Sequence, residues 1–309
     1  MEGILILVLA LLIDLTLGEA PNRFHPVAWL GKLVSFELKL MPGSGRIRQF
    51  IAGLLMVLVT TGALTLGIHL TLQYIQPLNI FIYILLSACV LKNTFSLRGL
   101  WQAVEKVKNE LAANNVHAAR RQAQALVSRD VDALNRPQLF SAAIESCAEN
   151  LCDSFVAPLL YYGLFGLPGA ICYRIINTFD AMIGYHGRWE YAGKFAARSD
   201  DVLNYIPARL SGLLIIPASA LCKGNAGEGW RIMLAHHAAT ESPNAGWTMC
   251  AMAGALNIRL EKQDCYALGH DLNEIVPDSV TRSQHIMLAA AVLWTLLVLA
   301  KEAACYAAA

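Results

Sequence analysis

Residues 51–75 read IAGLLMVLVTTGALTLGIHLTLQYI, twenty-five positions without an Asp, Glu, Lys or Arg. A bilayer core of about 30 Å is crossed by about 20 predominantly apolar residues of helix, so this stretch is read as a membrane span. Working outward, residues 79–97 form a second span, broken by Lys92 near its end. Residues 285–300, with their Ala-rich continuation, form a third. A fourth apolar run, 3–18, is short and carries Asp14, which needs a buried partner. It has no basic flank or small-residue cleavage site, so it is expected to be a retained membrane segment. Two further runs, 156–175 and 205–222, are interrupted by Pro or Gly, and the second holds Arg209. Such segments either cross the bilayer or re-enter it under protein cover.

The composition agrees with this reading: 56% of the 309 residues are hydrophobic and 15% are charged. A soluble domain carries about 25% charged residues. The expected fold is all-α: a polytopic integral membrane helical bundle with amphipathic cytoplasmic helices and Pro/Gly-interrupted segments. It is read as one membrane-embedded domain, residues 1–309. The 24 Lys+Arg nearly cancel 23 Asp+Glu, leaving +1, so there is no basic field to attract nucleic acid. Eight cysteines without a C-x-x-C pair read as buried free thiols in a reducing setting.

Lys and Arg give the orientation. Residues 19–50 contain five, the turn at 76–78 none, and residues 98–155 seven. The positive-inside rule places 19–50 and 98–155 in the cytoplasm and the N-terminus outside. Within 99–127, Trp101, Val104, Val107 and Leu111, then Val116, Ala119, Ala123 and Leu126, keep helical spacing on either side of Asn114-Asn115. This predicts a cytoplasmic helical hairpin, about 99–135, inserted into the domain.

The chemistry concentrates in two stretches. In SAAIESCAENLCDSFVAP, residues 141–158, a helix would place Glu145, Glu149 and Asp153 at i, i+4 and i+8 on one face. Three stacked carboxylates next to an apolar segment repel one another unless a divalent cation or basic partners neutralise them. Oxygen ligands of this kind suit Mg²⁺, which takes one or two carboxylates plus substrate phosphates. Residues 174–212 carry Asn177, Asp180, Asp200, Asp201 and Asn204, with Lys194, Arg198 and Arg209 as cations suited to phosphate or carboxylate. His25, before a proline, reads more readily as structural than catalytic. Residues 241–256, ESPNAGWTMCAMAGAL, form a turn followed by small residues for close helix packing. There is no G-x-x-x-x-G-K-[ST], G-x-G-x-x-G, G-x-S-x-G or H-E-x-x-H motif.

The order NRFHPVAWLGKL, SRDVDAL, ESCAENLCDSFVAPL, NTFDAMIGY, AARSDDVLNYIPARL and SPNAGWTMCAMAGAL resembles the CobD/CbiB family, membrane-bound adenosylcobinamide-phosphate synthases of cobalamin biosynthesis. The resemblance covers roughly residues 10–270. One departure is Gly18-Glu19-Ala20, where the family usually has Gly-Asp-Pro; Glu19 keeps the negative charge. The resemblance implies ATP-dependent amide formation between a propionate of adenosylcobyric acid and the amine of aminopropanol or its O-phosphate, with Mg²⁺ shielding the phosphates. It implies catalytic or metal roles for Glu145, Glu149 and Asp153, and catalytic roles for Asp180, Asp200 and Asp201. His25, Arg129, Asn150, Asn177, Tyr185, Lys194, Arg198, Asn204, Arg209 and Asn244 become substrate-binding positions. The expected setting is the cell membrane with a cytoplasm-facing active site, as a homo-oligomer or beside other corrinoid-pathway enzymes. The alternatives are a non-enzymatic membrane sensor of the AmpE type and a small-molecule transporter, though no internal repeat is present.

Overall fold

The computed structural model describes residues 1–127, 130–185, 187, 189–262, 265–270 and 272–307. Among them run thirteen α-helices: α1 (Glu2–Thr16), α2 (Pro26–Glu37), α3 (Arg46–Ile75), α4 (Ile80–Lys92), α5 (Leu97–Ala112), α6 (Val116–Ala123), α7 (Arg136–Leu151), α8 (Ala157–Ile183), α9 (Glu190–Leu203), α10 (Tyr205–Leu221), α11 (Ala226–His236), α12 (Ala245–Leu256) and α13 (Pro277–Ala307). A π-helical turn, Cys152–Val156, joins α7 to α8. A short antiparallel hairpin pairs β1 (Arg259–Lys262) with β2 (Tyr266–Gly269).

The all-α membrane plan stands. Four helical runs among the described residues are long and apolar enough to span: Arg46–Ile75, Ile80–Ala112, Arg136–Ile183 and Pro277–Ala307. Helices α9 and α10 make a fifth if counted together. The interrupted stretch 156–175 therefore lies inside a longer helical run. That run breaks locally at Gly166, whose φ of +66° a side chain would resist, two residues before Pro168. The β hairpin is an element the sequence reading did not anticipate. Its strands are short and the first is charged, yet Leu260 and Leu268 face each other across the ladder and are fully buried.

The described chain folds into two compact units: Met1–Ser96 with Ala157–Leu203 and Val298–Ala309, and Leu97–Val156 with Asn204–Leu297. No linker composition marks the division, because two of its boundaries fall inside continuous helical stretches. In the first unit, Leu30 and Val34 of α2, Met56 and Val57 of α3, Ile171, Ile175, Phe179 and Ile183 of α8, and Ala196 of α9 form the core. Backbones come close here. A Cβ added at Gly53 would overlap the Ala192 carbonyl, and one at Gly193 the Ile183 carbonyl. Small residues allow this approach where apolar lipid offers no hydrophobic drive for helices to associate.

In the second unit, α12 packs against α10 and α11, and nearly all of it is buried. The hairpin α5–α6 forms as the spacing predicts. Asn114 takes the left-handed turn conformation at φ +58°, and Asn115 Oδ1 caps α6 by accepting from Ala118 N at 3.2 Å. Val104, Val107 and Leu111 are fully buried, and α5 packs on α7. The hairpin is thus an integral wall of its unit. All eight cysteines are free, but Cys265 and Cys305 are exposed, which corrects the expectation that the thiols are buried.

Candidate functional site

Helix α7 starts at a reciprocal cap. Asn135 Oδ1 accepts from Gln138 N at 3.0 Å, and Gln138 Oε1 accepts from Asn135 N at 2.9 Å. This aims the acidic face. Glu145 is buried at 4% exposure; its Oε1 accepts from Ser141 Oγ at 2.6 Å and its Oε2 from Tyr266 OH at 2.8 Å. Ser141 Oγ in turn accepts from Glu261 N at 3.0 Å. Glu145 is therefore the anchor that ties the β hairpin to α7.

Glu149 and Asp153 are half-buried. Asp153 sits in the π-helical turn, where the wider winding carries it off the α-helical i+8 position the sequence implied. Among the described residues, no three His, Cys, Asp or Glu side chains gather to hold a metal ion. Within the expected metal-binding trio, Glu145 is thus set apart from Glu149 and Asp153, because both of its oxygens already accept from Ser141 and Tyr266. Mg²⁺ carried by phosphates needs only one or two protein carboxylates, a demand Glu149 and Asp153 suit. Asn150 spends its amide locally: Nδ2 donates to Ser146 O and Ser146 Oγ, both at 3.0 Å.

A second polar centre of this unit surrounds Arg209. Pro207 falls in the first turn of α10, where a missing N–H costs nothing, and Arg209 follows half-buried. Its Nη1 donates to Tyr205 O at 2.7 Å and to Asn244 Oδ1 at 3.3 Å. Its Cζ lies 3.5 Å from the centre of the Tyr205 ring and 4.8 Å from that of Trp247. Trp247 leans on His237, ring centres 4.1 Å apart. No carboxylate of the described residues comes within ion-pair distance of Arg209. Sequence reasoning missed both aromatic partners. Tyr205, at i−4 on the same helix, was within its reach, whereas Trp247 carried no signal pointing to residue 209. Asn204, 3% exposed, precedes α10 with the Cys152 thiol 3.9 Å from its Oδ1.

In the first unit, Asn177 Nδ2 donates to the buried Asp200 at 3.2 Å, tying α8 to α9, and Arg174 Nη1 reaches Asn177 Oδ1 at 3.4 Å. Asp180 Oδ1 presses against Gly184, where an added Cβ would overlap it. Asp201 faces Arg198 at 3.9 Å, and Lys194 faces Glu190 at 3.6 Å. Tyr185 is exposed. The structure thus joins Asn177 to Asp200 and Arg198 to Asp201. Arg129 lies outside the described residues.

His25 belongs to a different network of the same unit. Its Nδ1 accepts from Val27 N at 3.2 Å, capping α2, and its Nε2 meets Glu19 Oε2 at 2.6 Å. Glu19 Oε1 is 2.7 Å from Lys92 Nζ, which also lies 3.5 Å from Asp14 Oδ1. Asp14 and Lys92 are 1% and 4% exposed, so the buried partner that Asp14 required is found on α4. Burial pushes the Glu19 carboxyl up, but hydrogen bonds from Lys92, Ser96 and His25 outweigh it and hold the group below its ordinary value. Both His25 ring nitrogens are engaged in this scaffold.

Against known proteins, the family model described as CobD/Cbib protein matches residues 7–295. A cobalamin biosynthesis protein CobD from Dehalococcoides mccartyi is 43% identical over 297 residues, 96% of each chain. A probable cobalamin biosynthesis protein CobD from Methanothermobacter thermautotrophicus is 41% identical over 270 residues, 87% of this chain and 88% of its own. Another with that description, from Pyrococcus abyssi, is 41% identical over 268 residues, 86% of each. No solved structure matches. A match over nearly the whole length, in a polytopic helical chain with the motif order above, means that the chain belongs to the CobD/CbiB family.

Proposed function

We propose that this membrane protein joins a propionate carboxylate of adenosylcobyric acid to the amine of aminopropanol or its O-phosphate, an amide synthesis driven by ATP. The observation that carries this reading is the family match across residues 7–295, with relatives named for cobalamin biosynthesis. Joining a carboxylate to an ammonium expels water and is uphill in solution. The carboxylate must be activated, and the ammonium must lose a proton before its nitrogen attacks. ATP with Mg²⁺ supplies the activation, and Glu149 and Asp153 offer carboxylates to that ion.

Protein side chains do the rest. The Arg209 fork, steadied by Asn244 and two rings, receives a phosphate or carboxylate in two places at once. Asp180, Asp200 and Asp201 supply acceptor oxygens in the first unit, and Lys194 and Arg198 anion-binding charge. The reaction belongs to the cytoplasmic side, where nucleotide and corrinoid are made.

The experiment is turnover by purified protein in detergent, given adenosylcobyric acid, ATP and either amine, with amide and nucleotide products separated by chromatography. Amide appearing in step with ATP consumption supports the reading, and its absence with both amines ends it. Inverted vesicles should turn over without permeabilisation, and right-side-out vesicles only once opened. The reverse pattern removes the cytoplasmic placement. Glu149→Ala should yield no product while remaining folded, and wild-type turnover by that variant would remove Glu149 from the site.

A further inference from the structure

The second unit contains a cleft of about 430 Å³ beside the Glu145 anchor, lined by Gln138 and Ser141 of α7, Arg259 and Glu261 of β1, and Asn273 and Glu274 ahead of α13. The strand and the 273–274 segment lie outside every candidate span of the described residues, and the Arg259 and Glu261 side chains are roughly half exposed. The cleft is therefore wet at its mouth. Its inner wall is fixed, because Ser141 Oγ donates to the buried Glu145 and accepts from Glu261 N.

The charges select a ligand class. The cleft offers one guanidinium and two carboxylates. Arg259 and Glu261 approach only to 3.7 Å, and Glu274 is exposed with no hydrogen bond or ion pair to another described residue. A nucleoside triphosphate brings several negative charges against a single cation and two anions. A corrinoid is too bulky for the volume. A small molecule fits the usual range of about 300–1,000 Å³ for ligand clefts. The matching shape is an ammonium a few bonds from a hydroxyl or phosphate.

We infer that this cleft binds the amine co-substrate, a small alkylamine with a neighbouring hydroxyl or phosphate. Glu261 and Glu274 face its ammonium, and Arg259 with Gln138 its oxygen end. The assignment deepens the amide-synthase reading and rests on it for the role of the amine. It also makes Arg259 the group that distinguishes a phosphorylated from a free amino alcohol, since a guanidinium fork matches phosphate.

The test is calorimetric binding to the full-length protein in detergent, without ATP or corrinoid. The probes are 1-amino-2-propanol O-phosphate and propan-2-yl phosphate, which lacks the amine. Glu274→Gln should raise the Kd of the aminophosphate at least tenfold, about 1.4 kcal/mol, and leave the amine-free phosphate bound as tightly or more tightly. Arg259→Gln should weaken both. If that variant does not fold, Arg259→Lys, which keeps the charge and loses the fork, is expected to weaken both phosphates as well. Unchanged affinities in the Glu274 and Arg259 variants overturn the cleft, and amide synthesis by the same preparations would leave the reaction standing. Charge-dependent binding by protein that makes no amide would overturn the reaction and keep the cleft.

Discussion

Lys92 and Arg209 are both cations on apolar helices, and the chain treats them differently. Lys92, in the first unit, is enclosed by carboxylates from Asp14 and Glu19, with His25 closing the network. Arg209, in the second, rests on the rings of Tyr205 and Trp247 and meets only neutral oxygens. A cation held by carboxylates is neutralised where it stands and is useful as structure. One held by aromatic faces and carbonyl or amide oxygens keeps its net charge and can attract an anion. The contrast separates scaffold from binding group without reference to any ligand.

Removing Lys92 gives the largest expected effect. Lys92→Met leaves Asp14 and Glu19 without their cation, and breaking a buried pair on one side costs about 3–5 kcal/mol. The thermal midpoint in detergent should fall sharply, and Asp14→Leu in the same chain should restore much of it. An unchanged midpoint for Lys92→Met alone would break the contrast. Arg209→Lys should do the opposite, keeping the fold and weakening substrate anion binding about tenfold, or 1.4 kcal/mol, because lysine offers a point charge in place of a fork. Normal substrate affinity in that variant would make Arg209 another structural cation.

Tyr205→Leu sharpens the comparison. Losing one aromatic face should cost about 0.5–1 kcal/mol, read as a two- to fivefold weaker Kd for substrate with little change in midpoint. The smallest effect is a response to acid. Glu19 is held below its ordinary value, so the folded form binds fewer protons there than the unfolded chain. Its contribution is present above the unfolded value and is lost as the pH falls through the folded one, below about pH 4.5. The wild-type midpoint should therefore decline in that acid range more than that of Glu19→Gln. Parallel declines would show that the carboxyl is not held low.

The apolar runs were legible because a span is a property of local composition, and the amphipathic spacing of α5–α6 because helical period is local too. Asp14 showed its need for a partner, but nothing in sequence selects Lys92, seventy-eight positions away, over other cations. The carboxylate face was legible only under the assumption of a regular helix. The π turn at Cys152–Val156 moves Asp153, and the sequence reading gave no sign of it. Glu145 illustrates a second limit: its role depends on Ser141, four residues away, and on Tyr266, in a hairpin whose four-residue strands are too short to be read from sequence. Arg209 was conspicuous as a charge in an apolar run, whereas its clamp combines one local ring with a distant one.

Helix α3 carries glycines at positions 53, 62 and 67, which look equivalent in a text of small residues. A side chain at Gly53 would strike the α9 backbone, while Gly62 and Gly67 have nothing within 4 Å of an added Cβ. In a helix interior, glycine costs about 0.5–1 kcal/mol relative to alanine. To natural selection the three are therefore different letters: alanine at 62 or 67 is free to spread, and at 53 it is purged. Family members should drift at the open pair and hold the closed one, so mutational tolerance along a single helix would record where another backbone touches it.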